Sequence, residues 1–425
     1  MQTNPRKRKP TSDWIDKLEK EFGPLQLLEE AGMNSIDYIN AKLAAGDGFE
    51  LPVLHQQDLV AQALTNIVRR KHYRPLPANP QCDLVFGELF GTTTLVGISA
   101  KKPRRVLVTG ASGSGKSNFI FVLMAALRKL GVKQLVWEYK PELRRIIPEW
   151  HDAIIFSPAN APWQFLVAIG PDRLAYYISI ISEIRLEFEL RPETTPLMWA
   201  VIERMLRGMR PEDPPFSWED LRRVLEHEAA AQHRENLFTA GRAILNICVV
   251  LGRQASARVV PPIPDRYRVI GYNFVGTDPA IMRLFLGFEF TRLLFQAAEE
   301  GLVTDFRQTY VFDEGSTLFS TELMNRGVAQ ISAAKRFISM CRFTGTGIII
   351  GCQNPSQIDP FVTQNCDELL VFRCQSVEDA ILAARMLGLD PTASEELMRL
   401  PTGVAYARCA DWEGPVKIKV PLFTP

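Results

Sequence analysis

The sequence has 425 residues, of which 46% are hydrophobic and 23% are charged, and this composition excludes a wholly disordered or fibrous chain. Its 49 lysine and arginine residues nearly balance its 48 aspartate and glutamate residues, so any surface that binds nucleic acid must be local. The seven cysteines include no CxxC pair, which argues against a disulfide framework or a zinc site and favours a reducing compartment. At roughly 100 to 200 residues per domain, we expect a soluble, cytoplasmic protein of about two or three domains with no membrane span of its own.

The N-terminal part of the sequence combines a basic arm with helical spacing. Residues 1–11 carry four lysine and arginine residues before the first acid and are predicted to be a solvated, disordered arm. In residues 12–85, apolar side chains recur at spacings of three and four, which predicts a small helical region. A basic, proline-rich segment at 69–77 is typical of a domain boundary. These helices are a candidate site for a protein partner.

Beyond this region, predicted strands alternate with predicted helices. The first helix is predicted at 116–130. Strands are predicted at 106–109, 135–138, 153–156, 268–270, 310–312, 347–350 and 368–372. This alternation favours an α/β domain with a central, mostly parallel sheet, formed by residues 86–170 and 261–425. Residues 171–260 show only helical patterns and are predicted to be an all-helical insertion.

The strongest motif is GASGSGKS at 110–117, which matches the phosphate-binding pattern GxxxxGK[ST] and lies between a predicted strand and a predicted helix. Glycines let successive N–H groups point at phosphate oxygens, and the helix N-terminus adds partial positive charge. Lys116 is predicted to reach the β and γ phosphates of ATP, and the Ser117 hydroxyl to ligate Mg²⁺. The predicted nucleotide-binding residues are Gly110, Ser112, Gly113, Ser114, Gly115, Lys116, Ser117 and Asn118. An ordinary glycine-rich turn is the alternative.

A second element, YVFDE at 310–314, is an apolar strand that ends in two acids. Asp313 is predicted to hold Mg²⁺ through a water, and Glu314 to polarise the water that attacks the γ-phosphorus. On its own this pattern also fits a solvated strand end. After a phosphate-binding loop, a strand that ends in acids is the expected partner.

Two further polar residues flank the predicted strand at 347–350. Gln353 follows this strand, where a neutral amide can sense a γ-phosphate. Arg342 precedes it, eleven residues before Gln353, where a guanidinium could reach the nucleotide of a neighbouring subunit. A surface arginine that caps a helix is the alternative for Arg342, and Arg336 and Arg373 are the next candidates for a finger.

Residues 86–425 resemble the HerA/FtsK class of hexameric DNA-pumping ATPases, and within it the soluble motor of type IV secretion coupling proteins. The resemblance rests on four stretches: GASGSGKSN (110–118), YVFDEG (310–315), CRFTGTGIIIGCQNPSQID (341–359) and LPTGVAYAR (400–408). The chain departs from the class at its N-terminus, where coupling proteins usually have transmembrane helices and HerA proteins a small β-barrel. It also has Glu138 at a strand position that often holds Asp.

The resemblance implies a RecA-like P-loop NTPase fold, ATP and Mg²⁺ as cofactors, and a homo-hexameric ring. It also implies a role for six residues. These are Lys116, Ser117, Asp313 and Glu314 in ATP hydrolysis, Gln353 as a polar sensor and Arg342 as a finger that acts in trans.

The leading hypothesis is a ring-forming ATPase that moves along, unwinds or delivers DNA through its pore. The segment 316–336, which includes Arg326, Lys335 and Arg336, is predicted to line that pore and contact phosphates. One alternative is an ATP-driven assembly or secretion motor that acts on a protein. Another is a nucleotide-dependent switch with weak hydrolysis.

Overall fold

The fold is built around one eleven-stranded sheet. The computed structural model describes residues 82–141, 149–163, 165–170, 172–210, 212–325 and 333–424, so the predicted basic arm, most of the N-terminal helical region and the linker at 69–77 lie outside the described residues. The strands are β1 (Leu84–Leu89), β2 (Leu95–Ile98), β3 (Arg105–Thr109), β4 (Lys133–Glu138), β5 (Ala153–Phe156), β6 (Val269–Asn273), β7 (Val303–Phe312), β8 (Thr344–Cys352), β9 (Glu368–Val371), β10 (Val404–Cys409) and β11 (Val416–Lys419). Their order across the sheet is β2-β1-β11-β10-β9-β3-β8-β7-β4-β6-β5.

The seven strands from β9 to β5 in this order run parallel to their neighbours. Strands β3, β8 and β9 are buried along their whole length, as expected where helices cover both faces of a parallel sheet. All seven were predicted from the sequence, but β7 and β8 are longer than predicted and begin at Val303 and Thr344. The sheet is therefore mostly parallel, as the alternation of strands and helices indicates.

Four antiparallel strands extend this sheet and correct the predicted domain boundary. Strand β10 pairs with β9, β11 with β10, β1 with β11 and β2 with β1. None of these strands is predicted from the sequence, which instead predicts a helical N-terminal region that ends at residue 85. That boundary is wrong, because β1 already begins at Leu84. A register shift between Val85 and Gly87 interrupts the pairing of β1 with β2, so this strand lacks the regular alternation that sequence patterns detect.

Helices surround the parallel part of the sheet. They are α1 (Lys116–Lys129), α2 (Arg173–Glu187), α3 (Thr194–Arg207), α4 (Trp218–Gln232), α5 (Glu235–Leu251), α6 (Pro279–Glu300), α7 (Ser316–Phe319), α8 (Thr321–Met324), α9 (Ala333–Met340), α10 (Pro360–Asn365), α11 (Val377–Leu387) and α12 (Ser394–Arg399). Helices α2 to α5 lie between β5 and β6, in the segment for which a helical insertion is predicted. In the part of the chain that the structure describes, no helix is long and apolar enough to cross a membrane.

Helices α1 and α6 cover opposite faces of the parallel sheet. The Phe290 ring of α6 packs edge-on against Tyr310 and Phe312 of β7. On β8, a Cβ at Gly351 would contact Ile120 of α1. Residues two apart on a strand share a face, so Gly351 lies on the same face of the sheet as Ile349 and its partner Val311 on β7. Tyr310 and Phe312 flank Val311 and therefore lie on the opposite face. This layering leaves the carboxyl edge of the central strands open for a site.

Candidate active site

The predicted site residues follow three neighbouring parallel strands. Thr109, the last residue of β3, pairs with Cys352, the last residue of β8. Phe312, the last residue of β7, pairs with Ile350 of β8. Because the strands are parallel, the segments that follow them leave the sheet at one edge. In open α/β sheets, ligands bind outside this edge.

The backbone of the loop between β3 and α1 depends on glycine. Gly110, Gly113 and Gly115 have φ angles of 143°, 71° and 116°, which residues with a Cβ rarely adopt. A Cβ at Gly110 would lie 2.8 Å from the Cβ of Phe372, whereas the space around Gly113 is open. Glycine at these positions therefore lets the backbone turn tightly, as a loop whose successive N–H groups bind phosphate requires.

Two backbone hydrogen bonds hold this loop to neighbouring segments. The Ala111 N–H donates to the Arg373 carbonyl at 2.6 Å, and the Gly403 N–H donates to the Ser114 carbonyl at 2.9 Å. The Ser114 side chain is buried, and its hydroxyl has no hydrogen-bond partner among the described residues. These contacts fix the loop without using the N–H groups of Gly113, Gly115 and Lys116 that would face a phosphate.

Lys116 is the first residue of α1, and its side chain folds back over the loop. Its Nζ donates a hydrogen bond to the Ala111 carbonyl at 2.9 Å. Burial lowers the pKa of Lys116 below its usual value, Lys140 lowers it further, and Asp313 and Glu314 act in the opposite direction. A phosphate beside this ammonium would favour its charged form. Lys116 is therefore placed to bind an anion at the helix N-terminus.

Ser117 and Asp313 come together as candidate metal ligands. The Ser117 Oγ lies 3.4 Å from the Asp313 Oδ1, although 196 residues separate them in the sequence. Hydroxyl and carboxylate oxygens are the ligands that Mg²⁺ prefers, and Mg²⁺ usually keeps several waters and phosphate oxygens as well. The pair therefore fits a magnesium ion that is shared with a bound nucleotide.

Glu314 is held by three side chains. Its Oε1 accepts a hydrogen bond from the Ser316 Oγ at 2.7 Å, and its Oε2 accepts one from the Gln353 Nε2 at 3.1 Å and one from the Lys140 Nζ at 2.5 Å. Burial would raise the pKa of Glu314, but the hydrogen bonds from Lys140, Ser316 and Gln353 outweigh it and hold the pKa below its usual value. Glu314 is therefore ionised at neutral pH and can accept a proton or orient a water.

Lys140 has no role predicted from the sequence, and Ser316 is predicted only as the first residue of the pore-lining segment 316–336. Lys140 follows β4, and one of the two neighbours of β4 in the sheet is β7, the strand that Glu314 follows. A charged residue directly after a buried parallel strand is a signal that sequence reasoning could have used. The order of the strands in the sheet determines which residue this charged side chain contacts.

Solved structures with this arrangement of strands and helices include VirB4 and a plasmid coupling protein. VirB4 of Thermoanaerobacter pseudethanolicus aligns with a TM-score of 0.60 and 13% identity over 82% of this chain and 98% of that chain. The plasmid coupling protein TrwB, in complex with the non-hydrolysable ATP analogue ADPNP, aligns with a TM-score of 0.57 and 14% identity over 84% of this chain and 92% of that chain. The chain has a RecA-like P-loop NTPase fold.

This fold confirms the α/β class and the RecA-like P-loop NTPase architecture predicted from the sequence. TrwB in its unbound form aligns about as well, with a TM-score of 0.56 and 14% identity. No family model matches the sequence, and a comparison with curated proteins finds no match.

Within this P-loop NTPase fold, Asn118 has a different environment from the rest of the loop. Its Nδ2 donates to the Pro421 carbonyl at 2.8 Å, and its Oδ1 accepts from the Phe423 N–H at 2.8 Å. The side chain predicted to bind nucleotide therefore ties the C-terminal segment to α1. Ser112, by contrast, is exposed at the tip of the loop.

Arg342 lies at the other edge of the sheet from the P-loop. It belongs to a short 3₁₀ helix, Cys341–Phe343, that precedes β8, whereas Gln353 follows β8. The nine residues of β8, at about 3.3 Å each, separate the two residues by up to about 30 Å. Arg342 forms an ion pair with Asp367, and its side chain is 45% exposed. The structure therefore does not bring Arg342 to the P-loop of its own subunit.

The segment predicted to line a pore contains α7, α8 and α9. The Lys335 Nζ donates to the Asn325 Oδ1 at 2.7 Å, and Arg336 is half-buried near Glu183. Arg326 lies outside the described residues. Arg373, another candidate finger, follows β9 beside the P-loop, and its carbonyl accepts the Ala111 N–H.

Proposed function

We propose that this chain is an ATP-hydrolysing motor that assembles into a homo-hexameric ring and translocates or delivers DNA. The observation that carries the proposal is the convergence of Lys116, Ser117, Asp313, Glu314 and Gln353 at one edge of β3, β8 and β7. The fold similarity to TrwB, which is described as a plasmid coupling protein and was solved with an ATP analogue, supports it.

Each residue of the site has a separate task in this proposal. The N–H groups of the P-loop and the Lys116 ammonium bind the β and γ phosphates of ATP. Ser117 would hold Mg²⁺ directly and Asp313 would hold it through a water, and the ion would supply positive charge beside the phosphates.

The remaining residues act on the attacking water. Glu314, whose carboxylate is ionised, orients that water for in-line attack and takes up its proton. Gln353 donates to the carboxylate of Glu314 at 3.1 Å, and this contact beside the proposed catalytic carboxylate supports a role of its neutral amide in sensing the γ-phosphate. Both residues extend from the edge of the sheet that carries the P-loop.

The position of Arg342 supports the proposed ring. An arginine that stabilises the transferred phosphoryl group must come within contact distance of it, and Arg342 precedes β8 whereas its own P-loop faces the opposite edge. In a ring, this edge of one subunit can face the nucleotide of its neighbour. Identical heterologous contacts of this kind, repeated around a rotation axis, form a closed ring.

ATPase assays with and without linear double-stranded DNA test the proposal. We expect the full chain to hydrolyse ATP and DNA to stimulate hydrolysis, with a stimulation that falls steeply between about 50 and 200 mM salt because phosphate contacts release counterions. The Lys116→Ala variant is the control for contaminating ATPases.

Hydrolysis that DNA leaves unchanged at low salt would contradict DNA translocation and favour a motor that acts on a protein. Absence of hydrolysis in the parent protein would contradict the motor itself and favour a nucleotide-dependent switch.

A further inference from the structure

Lys140 contacts the carboxylate that the proposed hydrolysis depends on. Its Nζ lies 2.5 Å from the Glu314 Oε2. The contact is a consequence of the topology, since Trp137 of β4 pairs with Phe312 of β7 and the two strands then end side by side. Lys140 and Glu314 extend from the ends of these strands at the carboxyl edge of the sheet.

We propose that Lys140 is a positioning residue that fixes the carboxylate of Glu314 toward the P-loop side of the site. This inference rests on the proposed ATPase function. Among the described residues, the side chains that hold Glu314 are those of Lys140, Gln353 and Ser316, and Lys140 is the charged one. Charge-assisted hydrogen bonds are shorter and stronger than neutral ones, so Lys140 contributes most to the orientation of the carboxylate.

A purely structural role explains this ion pair poorly. The side chain of Lys140 is 40% exposed, and ion pairs with one exposed partner make a measurable but modest contribution to stability because solvent partly screens them. The side chain of Glu314 is only 9% exposed, so the lysine bends inward toward a carboxylate that already accepts two neutral hydrogen bonds. The main effect of this contact is therefore to orient the carboxylate of Glu314.

The contact also orients the two oxygens of Glu314 differently. Oε2 accepts from Lys140 and Gln353, which follow the strands on either side of β7, whereas Oε1 accepts from Ser316 of α7. The carboxylate plane is thus fixed by groups from three segments. Removal of Lys140 leaves the carboxylate with two neutral hydrogen bonds, from Gln353 to Oε2 and from Ser316 to Oε1, which hold its orientation more weakly than a charge-assisted bond does.

The first test is a kinetic comparison of Lys140→Met, which keeps the length of the side chain and removes the charge. We expect kcat for ATP hydrolysis to fall about 10- to 100-fold, because a small misplacement of a catalytic group has costs of this order. KM for ATP should change little, because Lys116 and the P-loop still bind the phosphates. Lys140→Arg should restore part of kcat. The control is Lys129→Met, an exposed lysine at the end of α1, with parental kcat.

A second comparison separates positioning from other roles. In a Glu314→Gln background, Lys140→Met should cause no further loss of kcat, because its effect acts through Glu314. A full additional loss in that background would overturn the inference. So would a parental kcat in Lys140→Met, or a rise in KM with kcat unchanged, which would make Lys140 a binding residue.

Urea unfolding of the same variants tests whether Lys140 and Glu314 interact, and it needs no measurement of ATPase activity. If Lys140 and Glu314 interact, the shifts of the unfolding midpoint caused by Lys140→Met and Glu314→Gln are not additive in the double variant. Additive shifts would overturn the inference. A parent protein that hydrolyses no ATP would overturn the proposed function instead, and the unfolding cycle would still decide whether the two residues pair. Lys140→Gln replaces Lys140→Met in all assays if the latter does not fold.

Discussion

The N–H group of Gly315 donates a hydrogen bond to the carbonyl of Gly351 at 2.6 Å. This bond joins the residue after Glu314 to a residue two positions before Gln353, so it sets the spacing between the proposed catalytic carboxylate and the amide. Both positions exclude a side chain. A Cβ at Gly315 would overlap the side chain of Ile350, and one at Gly351 would lie 2.6 Å from the Asp313 carbonyl.

Gly315→Ala should therefore impair both folding and hydrolysis. The added methyl group must displace Ile350 in a strand that is buried throughout, and such overpacking costs about 1–3 kcal/mol. We expect a lower urea midpoint and a lower kcat. Gly208→Ala is the matched control, because its Cβ would meet atoms no closer than 3.5 Å and its φ is ordinary. A Gly315→Ala protein with the parental midpoint and kcat would contradict the role of this contact.

Lys116→Ala and Glu314→Gln should fail at different steps. Lys116→Ala loses the ammonium that binds phosphate, so we expect weak nucleotide binding and no hydrolysis. Glu314→Gln keeps the P-loop intact but cannot take up a proton, so it should bind ATP normally and hydrolyse it about 10²- to 10⁴-fold more slowly. Fluorescent-nucleotide binding and single-turnover hydrolysis measure the two steps. Parental hydrolysis by Glu314→Gln would mean that another residue activates the water.

The sequence predicts the P-loop and the acids because each is a short motif beside a buried strand. The motifs assign Ser117 and Asp313 to one Mg²⁺, but they do not predict that Lys140 meets Glu314, because this contact depends on the order β3-β8-β7-β4 across the sheet. Buried parallel strands all have near-continuous apolar sequences, so the sequence pattern does not show which strands are neighbours in the sheet. Their neighbours are decided by packing over the whole domain.

The antiparallel strands were missed for a related reason. β1 pairs with β11, and more than 300 residues separate them in the sequence. Such pairs leave no local signal, and the glycines at 87 and 97 lie where backbones approach too closely for a side chain. The hydrogen bonds of Asn118 to the C-terminal segment are equally long-range, so the sequence motif assigned that side chain to nucleotide alone.

Glu183 gives the stability of the helical segment a pH dependence. It lies in α2, 7% exposed, and accepts the N–H of Ala333 at 3.2 Å, where α9 begins. Burial raises the pKa of Glu183 from its usual 4.5 to about 7. The negative charge of Glu187 also raises this pKa, whereas the positive charge of Arg336 lowers it. The folded state therefore binds a proton that the unfolded state releases. The stabilisation is present below about pH 4.5 and is lost as pH rises through 7.

Glu183→Gln cannot ionise and should remove this dependence. Relative to the parent, we expect the variant to gain up to about 3 kcal/mol in the free energy of unfolding between pH 5 and pH 8, the equivalent of the shift in pKa. Urea unfolding at several pH values measures the difference. Glu203→Gln, an exposed glutamate of α3, is the control. A difference between parent and Glu183→Gln that stays constant with pH would mean that Glu183 is charged throughout.

Arg342 should act on the nucleotide of a neighbouring subunit. It precedes β8, its own P-loop lies at the opposite edge of the sheet, and its ion pair with Asp367 leaves the side chain 45% exposed. Arg342→Ala and Lys116→Ala should each be inactive in a pure ring. In mixed rings, some interfaces combine an intact Lys116 with an intact Arg342 from the next subunit, so a mixture should regain ATPase activity. Subunit exchange is verified with fluorescently labelled chains. If exchange occurs and no mixture exceeds the sum of its parents, Arg342 is not the finger, and Arg336→Ala and Arg373→Ala are the variants to mix next.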